Sequence, residues 1–173
     1  MTDRVVAHQG AACWATLFTH AHYLPCLAVL LQSMRACQTR YPLVVMVTET
    51  VDARTRERLT RMGCVLRDVD AWRVPHADGS LAFERFQNVW TKLRAFELYE
   101  YERVVMIDSD MLMCHNMDEL FDLPLERGMI AAALACTCNP KQIPTYPAEW
   151  TPRNCGYAPV SYTHLRAHET SLH

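Results

Sequence analysis

The sequence predicts an α/β fold, a mostly parallel sheet with helices on both faces. Three observations lead there. Short apolar runs alternate along the chain with segments whose apolar residues recur at helical spacing, the pattern of β-α-β units. The runs are rich in β-branched residues and do not alternate with polar ones, as strands buried on both faces do. The chain has 173 residues, half of them apolar and 21% charged, an ordinary globular balance at single-domain size.

The elements follow in order. Cys13 to Thr19 is short, apolar and aromatic and reads as a first strand. Tyr23-Leu24-Pro25 opens a helix, with Pro25 near the first helical position where its missing N–H is harmless. Leu27, Leu30, Leu31 and Met34 give that helix an apolar stripe, and Tyr41-Pro42 stops it. Leu43 to Val47 is a second strand. Asp52 to Met62 is a charged helix with Leu59 and Met62 turned inward and Gly63 as its stop. Cys64 to Val69 is a third strand, and Asp70 to Glu84, with Pro75 and Asp78-Gly79, an exposed loop. Val89 to Tyr99 is a helix offering Leu93, Phe96 and Leu98 for burial. Val104 to Ile107 is a fourth buried strand and Met129 to Ala135 a fifth. Thr137 to Pro159 holds five prolines and little periodicity. No internal repeat is visible.

Composition excludes several function classes. Seventeen Lys and Arg against nineteen Asp and Glu give a net charge of −2, without the basic surface that nucleic acid demands. No apolar run approaches the ~20 residues of a membrane helix, and no secretory signal follows Met1, so a cytoplasmic location is expected. The eight cysteines are then expected to be reduced, most of them buried as small apolar groups. Cys136-x-Cys138 with Cys155, Cys114 and His115 suggests zinc, yet paired C-x-x-C knuckles are absent. A disulfide among Cys136, Cys138 and Cys155 is the other reading.

Val160 to Thr170 stands apart. It reads Val-Ser-Tyr-Thr-His-Leu-Arg-Ala-His-Glu-Thr, which resembles one translated frame of a transposase adaptor used in sequencing libraries, a natural polar tail being the plainer reading. Residues 160–173 are therefore set aside as a non-native tail, and 1–159 are expected to be an incomplete N-terminal piece of a longer domain.

The chemistry is expected after the fourth strand. In Val104-Val105-Met106-Ile107-Asp108-Ser109-Asp110, two carboxylates at i and i+2 of an extended chain point to one side. Held together they repel, and a divalent cation between them resolves the conflict. Oxygen ligands favour Mg²⁺ or Mn²⁺ over zinc, and such an ion takes a diphosphate readily. The plainer reading is a solvated strand-end turn. Lys92 lies on the first turn of the preceding helix, whose N-terminus would favour a phosphate at the same strand end. The plainer reading there is an ordinary solvated Lys. Thr16, Thr19 and Tyr23 sit where a nucleotide would meet the first strand, although strand propensity and helix entry explain them equally.

Together these segments resemble glycosyltransferase family eight, which includes glycogenin and galactinol synthase. Trp14 to Pro25 resembles its opening strand and nucleotide loop, Thr91-Lys92-Leu93 its helix start, Arg103 to Met111 its strand and Asp-x-Asp, and Asn116 to Phe121 the turn that follows. Cys136 to Pro159 is most similar to fungal members. The resemblance implies a GT-A fold and transfer of a sugar from a nucleotide diphosphate sugar, a UDP-sugar, with retention at the anomeric carbon. It implies that Asp108 and Asp110 hold Mn²⁺ (or Mg²⁺) on the diphosphate, with Ser109 between them in the donor site. Leu17, Thr19 and Tyr23 would line the uracil and ribose pocket, with His20 where the family often has Asn. Lys92 would neutralise phosphate charge in catalysis. The acceptor, whether carbohydrate, polyol or protein, is unassigned, and the family's acceptor motifs and last metal-binding His are expected beyond Pro159. Two other classes remain. A haloacid dehalogenase-type phosphohydrolase would use Asp108 as nucleophile, but its Asp-x-Asp usually ends the first strand. A non-catalytic truncated fragment is the third.

Overall fold

The computed structural model describes residues 12–72, 90–126, 128–133, 136–144, 146–156 and 168–169. The chain forms two compact units, Met1–Leu123 and Pro124–His173. The first holds a four-stranded parallel sheet of β1 (Ala12–Phe18), β2 (Leu43–Val47), β3 (Val65–Asp68) and β4 (Arg103–Met106), in the order β3-β2-β1-β4. Trp14 pairs with Leu43 on one side of β1 and with Val105 on the other. All of β2 is buried, as its unbroken apolar run requires, whereas β4 is half-buried at the sheet edge.

Helix α1 (Leu24–Ala36) is entered through a 3₁₀ turn, Ala21–Tyr23. Its stripe of Leu24, Leu27, Leu30, Leu31 and Met34 is buried. Helix α2 (Ala53–Arg61) is capped by Asp52, whose carboxylate accepts the Thr55 N–H at 2.8 Å. Gly63, at φ +87°, ends it in the left-handed region. Alternation along β1 divides the core in two. Trp14 and Phe18 meet α1, Leu59 of α2 and Phe121 on one face. Cys13 and Ala15 lie with Val44, Met46 and Leu98 on the other.

Two expected elements differ, and a third lies mostly outside the described residues. The segment read as the helix Val89 to Tyr99 is a 3₁₀ run, Thr91–Glu97, with Val89 outside the described residues. In it Leu93 and Phe96 are exposed and only Leu98, just past its end, is buried. Of the expected fifth strand, the described residues show β5 (Ala131–Ala132), antiparallel to β6 (His168–Glu169) in the second unit, while Leu134 and Ala135 lie outside the described residues. The loop expected over Asp70 to Glu84 lies outside the described residues beyond Trp72. The cysteines divide as well: Cys13, Cys64 and Cys155 are buried, Cys26, Cys37 and Cys138 partly so, and Cys114 and Cys136 are exposed. Among the described residues no helix is long and apolar enough to cross a membrane.

Candidate functional site

Parallel strands end at one edge, so the residues after β1 and β4 share a side of the sheet. Ile107 extends that pairing by donating its N–H to Ala15 O at 2.9 Å. The chain leaves β1 for β2 on one flank and β4 occupies the other. The β1/β4 crevice is therefore the topological switch point, where open α/β sheets bind ligands.

On the β4 side, Asp108 is half-buried and Asp110 exposed, with Ser109 between them. Met111 N–H donates to Asp108 O at 3.1 Å and closes the turn that presents all three. Lys92 Nζ lies 2.6 Å from Asp108 Oδ1. Both side chains are more than a third exposed, so the pair adds at most about 1 kcal/mol to folding. It places a cation on the carboxylate at the switch point. Lys92 is carried by a seven-residue 3₁₀ run, Thr91–Glu97, rather than by the expected α-helix.

On the β1 side, Thr19 Oγ1 and His20 Nδ1 lie 2.9 Å apart. The rings of His20, His22 and Tyr23 form a short stack, with centroids 5.4 Å and then 4.0 Å apart. Tyr23 is 39% exposed, and Leu17 is half-buried on the Cys13–Ala15 face. Thr16, by contrast, is fully buried with its hydroxyl unpaired among the described residues. It shares the parity of Trp14 and Phe18, so its side chain points into the α1 face.

The structure thus brings Lys92 onto Asp108 and Thr19 onto His20. Leu17, Tyr23, Ser109 and Asp110 lie along the same edge.

A bracing layer escaped the sequence reading. Thr50 Oγ1 donates to Thr19 O at 2.6 Å and lies 2.7 Å from Thr48 Oγ1. Arg56 donates to Thr48 O and Val51 O, each at 2.8 Å, and pairs with Asp68. The signal was available: an Arg in the first turn of a helix that starts at the same edge can reach the carbonyls of the strand end before it.

The thiols near the sheet are quiet. Burial pushes Cys13 up to about 12 and Cys64 up to about 11. In the second unit, hydrogen bonding with Cys155 and Cys136 pushes the Cys138 thiol up to about 12.

A family model described as Glycosyl transferase family 8 matches residues 15–167. The chain is 30% identical over 139 residues to Galactinol synthase 5 of Arabidopsis thaliana, covering 79% of this chain and 41% of that protein. It is 34% identical over 110 residues to Galactinol synthase 2 of Ajuga reptans, covering 64% and 37%. Among solved structures, a WbbM bifunctional glycosyltransferase in its apo form is similar at a TM-score of 0.55 and 20% identity, over 76% of this chain and 24% of that one. At that identity the likeness speaks for the fold alone. The chain spans between a third and roughly two-fifths of the length of these curated relatives.

Proposed function

Because the chain belongs to glycosyl transferase family 8, we propose that it forms the donor-binding part of a glycosyltransferase. The donor is a nucleotide diphosphate sugar, a UDP-sugar, and the sugar passes to an acceptor with retention at the anomeric carbon. The observation that carries this reading is the Lys92–Asp108 pair at the β1/β4 switch point.

The residues divide the donor between them. Leu17, Thr19, His20 and the exposed ring of Tyr23 take the uracil and ribose at the end of β1. Lys92 takes a phosphate oxygen, since an ammonium has three N–H donors and Asp108 uses one. As the bond from the sugar to the diphosphate breaks, negative charge gathers on the leaving group. A fixed ammonium beside it stabilises the transition state more than the ground state.

Asp108 and Asp110, with Ser109 between them, suit a hard divalent cation, Mn²⁺ or Mg²⁺. They are oxygen donors, and in this structure Asp108 already draws a cation, the Lys92 ammonium. When bound, such an ion supplies further neutralisation of the diphosphate. The hydrolase reading of Asp108 has no observation in its favour, since its Asp-x-Asp ends β4 rather than β1.

Thermal unfolding with Mn²⁺ and uridine diphosphate tests the assignment. Ligand at a hundred times its Kd should stabilise the chain by about 2.7 kcal/mol, and Asp110→Ala should remove that shift. An equal shift in both proteins rejects the site. In a transfer or sugar-nucleotide hydrolysis assay, Lys92→Ala should lower turnover by about two orders of magnitude, while Lys92→Arg recovers only part. Unchanged turnover in Lys92→Ala would remove Lys92 from catalysis and leave the Asp108–Asp110 assignment standing.

A further inference from the structure

The second unit contains a side-chain cluster that the donor site does not use. The Sγ atoms of Cys136, Cys138 and Cys155 all lie within 4.8 Å of one another. Cys155 Sγ is 3.9 Å from Cys136 Sγ.

Local structure explains the convergence. Cys136 and Cys138, two apart in a stretch without helix, can project to one side. Asn139 then turns the chain at φ 44°. Its side chain ties the loop, accepting the Ile143 N–H at 2.8 Å and donating to Ile143 O at 3.3 Å. Farther on, the 3₁₀ turn Pro152–Asn154 delivers Cys155, and Asn154 Nδ2 anchors that turn on Glu149 O at 3.1 Å. Thr137, between the first two cysteines, donates its backbone N–H to Cys155 Sγ at 3.3 Å. A donor aimed at sulfur is the kind of outer contact that orients and stabilises a metal-bound thiolate.

The spacing selects among the chemistries open to three thiols. Tetrahedral zinc with Zn–S bonds of about 2.3 Å sets its sulfurs roughly 3.8 Å apart, close to the 3.9 Å between Cys155 and Cys136, the other pairs lying within 4.8 Å. A disulfide would join two of the three and leave the third unpaired beside it. Beside Cys138 a surface cavity of about 540 Å³, bordered by Asn139, Tyr146 and Trp150, leaves a way in for an ion.

We propose that Cys136, Cys138 and Cys155 form a three-thiolate site for zinc, a structural centre that pins the second unit. Each thiol releases its proton to solvent as its sulfur binds the metal, and no oxidant or reductant takes part. The fourth position is filled by water. Such a centre supplies what this unit lacks. Its described strands are two residues long, and a bound metal turns binding energy directly into folding energy.

Cobalt titration of the full chain tests this. The protein is first reduced and stripped with a chelator, then titrated with Co²⁺. One equivalent should bind with sulfur-to-cobalt charge-transfer absorption in the near ultraviolet, and Zn²⁺ should bleach it. Cys136→Ser, Cys138→Ser and Cys155→Ser should each lose the band, while Cys114→Ser, an exposed thiol of the first unit, keeps it. Because the band requires sulfur, cobalt at Asp108 and Asp110 cannot imitate it. Alkylation mapped by mass spectrometry gives a second reading in the unaltered chain: Zn²⁺ should shield Cys136, Cys138 and Cys155 and leave Cys114 reactive. Binding without the band, a band that survives in Cys136→Ser and Cys138→Ser, or labelling indifferent to Zn²⁺ would overturn the site. So would a disulfide between two of the three in the protein as isolated.

Discussion

Trp14 and Ala15 are neighbours in β1 and point to opposite faces of the sheet, and the faces differ accordingly. On the Trp14 face large side chains meet regular helices. Trp14, Phe18, Leu27, Leu30 and Leu59 are essentially inaccessible there, and the Trp14 ring stands edge-on to Phe121 at 5.1 Å. On the Ala15 face β1 offers small groups, Cys13 and Ala15, and the described cover is a 3₁₀ segment that leaves Phe96 62% exposed. The first face holds the fold together. The second lets a short, irregular segment come close enough for Lys92 to reach Asp108. The large-residue packing and the Lys92–Asp108 pair thus lie on opposite sides of one strand.

The sharpest way to break this comparison is to remove one large residue from each face. Trp14→Ala should cost about 3–5 kcal/mol, the range for deleting a buried aromatic. Leu98→Ala, on the other face, should cost about 2 kcal/mol, the low end for Leu, because a 3₁₀ cover can settle into the space. Urea unfolding measures both, and equal losses would mean that the faces share the load.

A smaller effect concerns the polar edge of the Trp14 face. Trp14 Nε1 donates to Thr39 Oγ1 at 2.9 Å, and Thr39 Oγ1 donates in turn to Asp118. Burial alone would raise the Asp118 pKa. Hydrogen bonds from Thr39, the Arg40 N–H and side chain, and Asn116 overcome it and hold the carboxyl below its usual 3.8. A depressed folded value means that the stabilisation is complete above pH 3.8 and fades as pH falls below it. Asp118→Asn should flatten that acid limb of the stability curve, and a limb unchanged in the variant would show that Asp118 does not set it. The smallest effect should be Phe96→Ala, within about 0.5 kcal/mol as for an ordinary surface site. A larger loss, read from the same urea curves, would reveal a cover over the Ala15 face that the described residues do not include.

Much of this was legible in the sequence, and the exceptions have physical reasons. Leu43 to Val47 was read at its observed bounds, because an unbroken apolar run rich in Val and bounded by Pro42 and Thr48 admits little else. Gly63 marked the end of α2 as a C-terminal stop, whereas the capping role of Asp52 emerged only in the structure. The segment around Lys92 was misread, since apolar residues at i and i+3 suit a 3₁₀ segment as well as an α-helix. Thr16 was offered as a ligand contact although strand parity already set it with Trp14 and Phe18. The site was legible as a set of strand-end residues. The Lys92–Asp108 contact and the Thr50–Thr19 brace were not, because each depends on how closely two elements approach, which residue spacing does not encode.

The position of β4 has a consequence for how the molecule comes into being. As the chain leaves the ribosome, β1, α1, β2, α2 and β3 emerge in an order that lets each meet a neighbour already made. Ala12, however, must wait for Arg103 before its second flank is filled. Contacts so distant in sequence are the slow ones to form. The crevice that holds Lys92 and Asp108 is therefore the last part of the sheet to exist in a newborn chain.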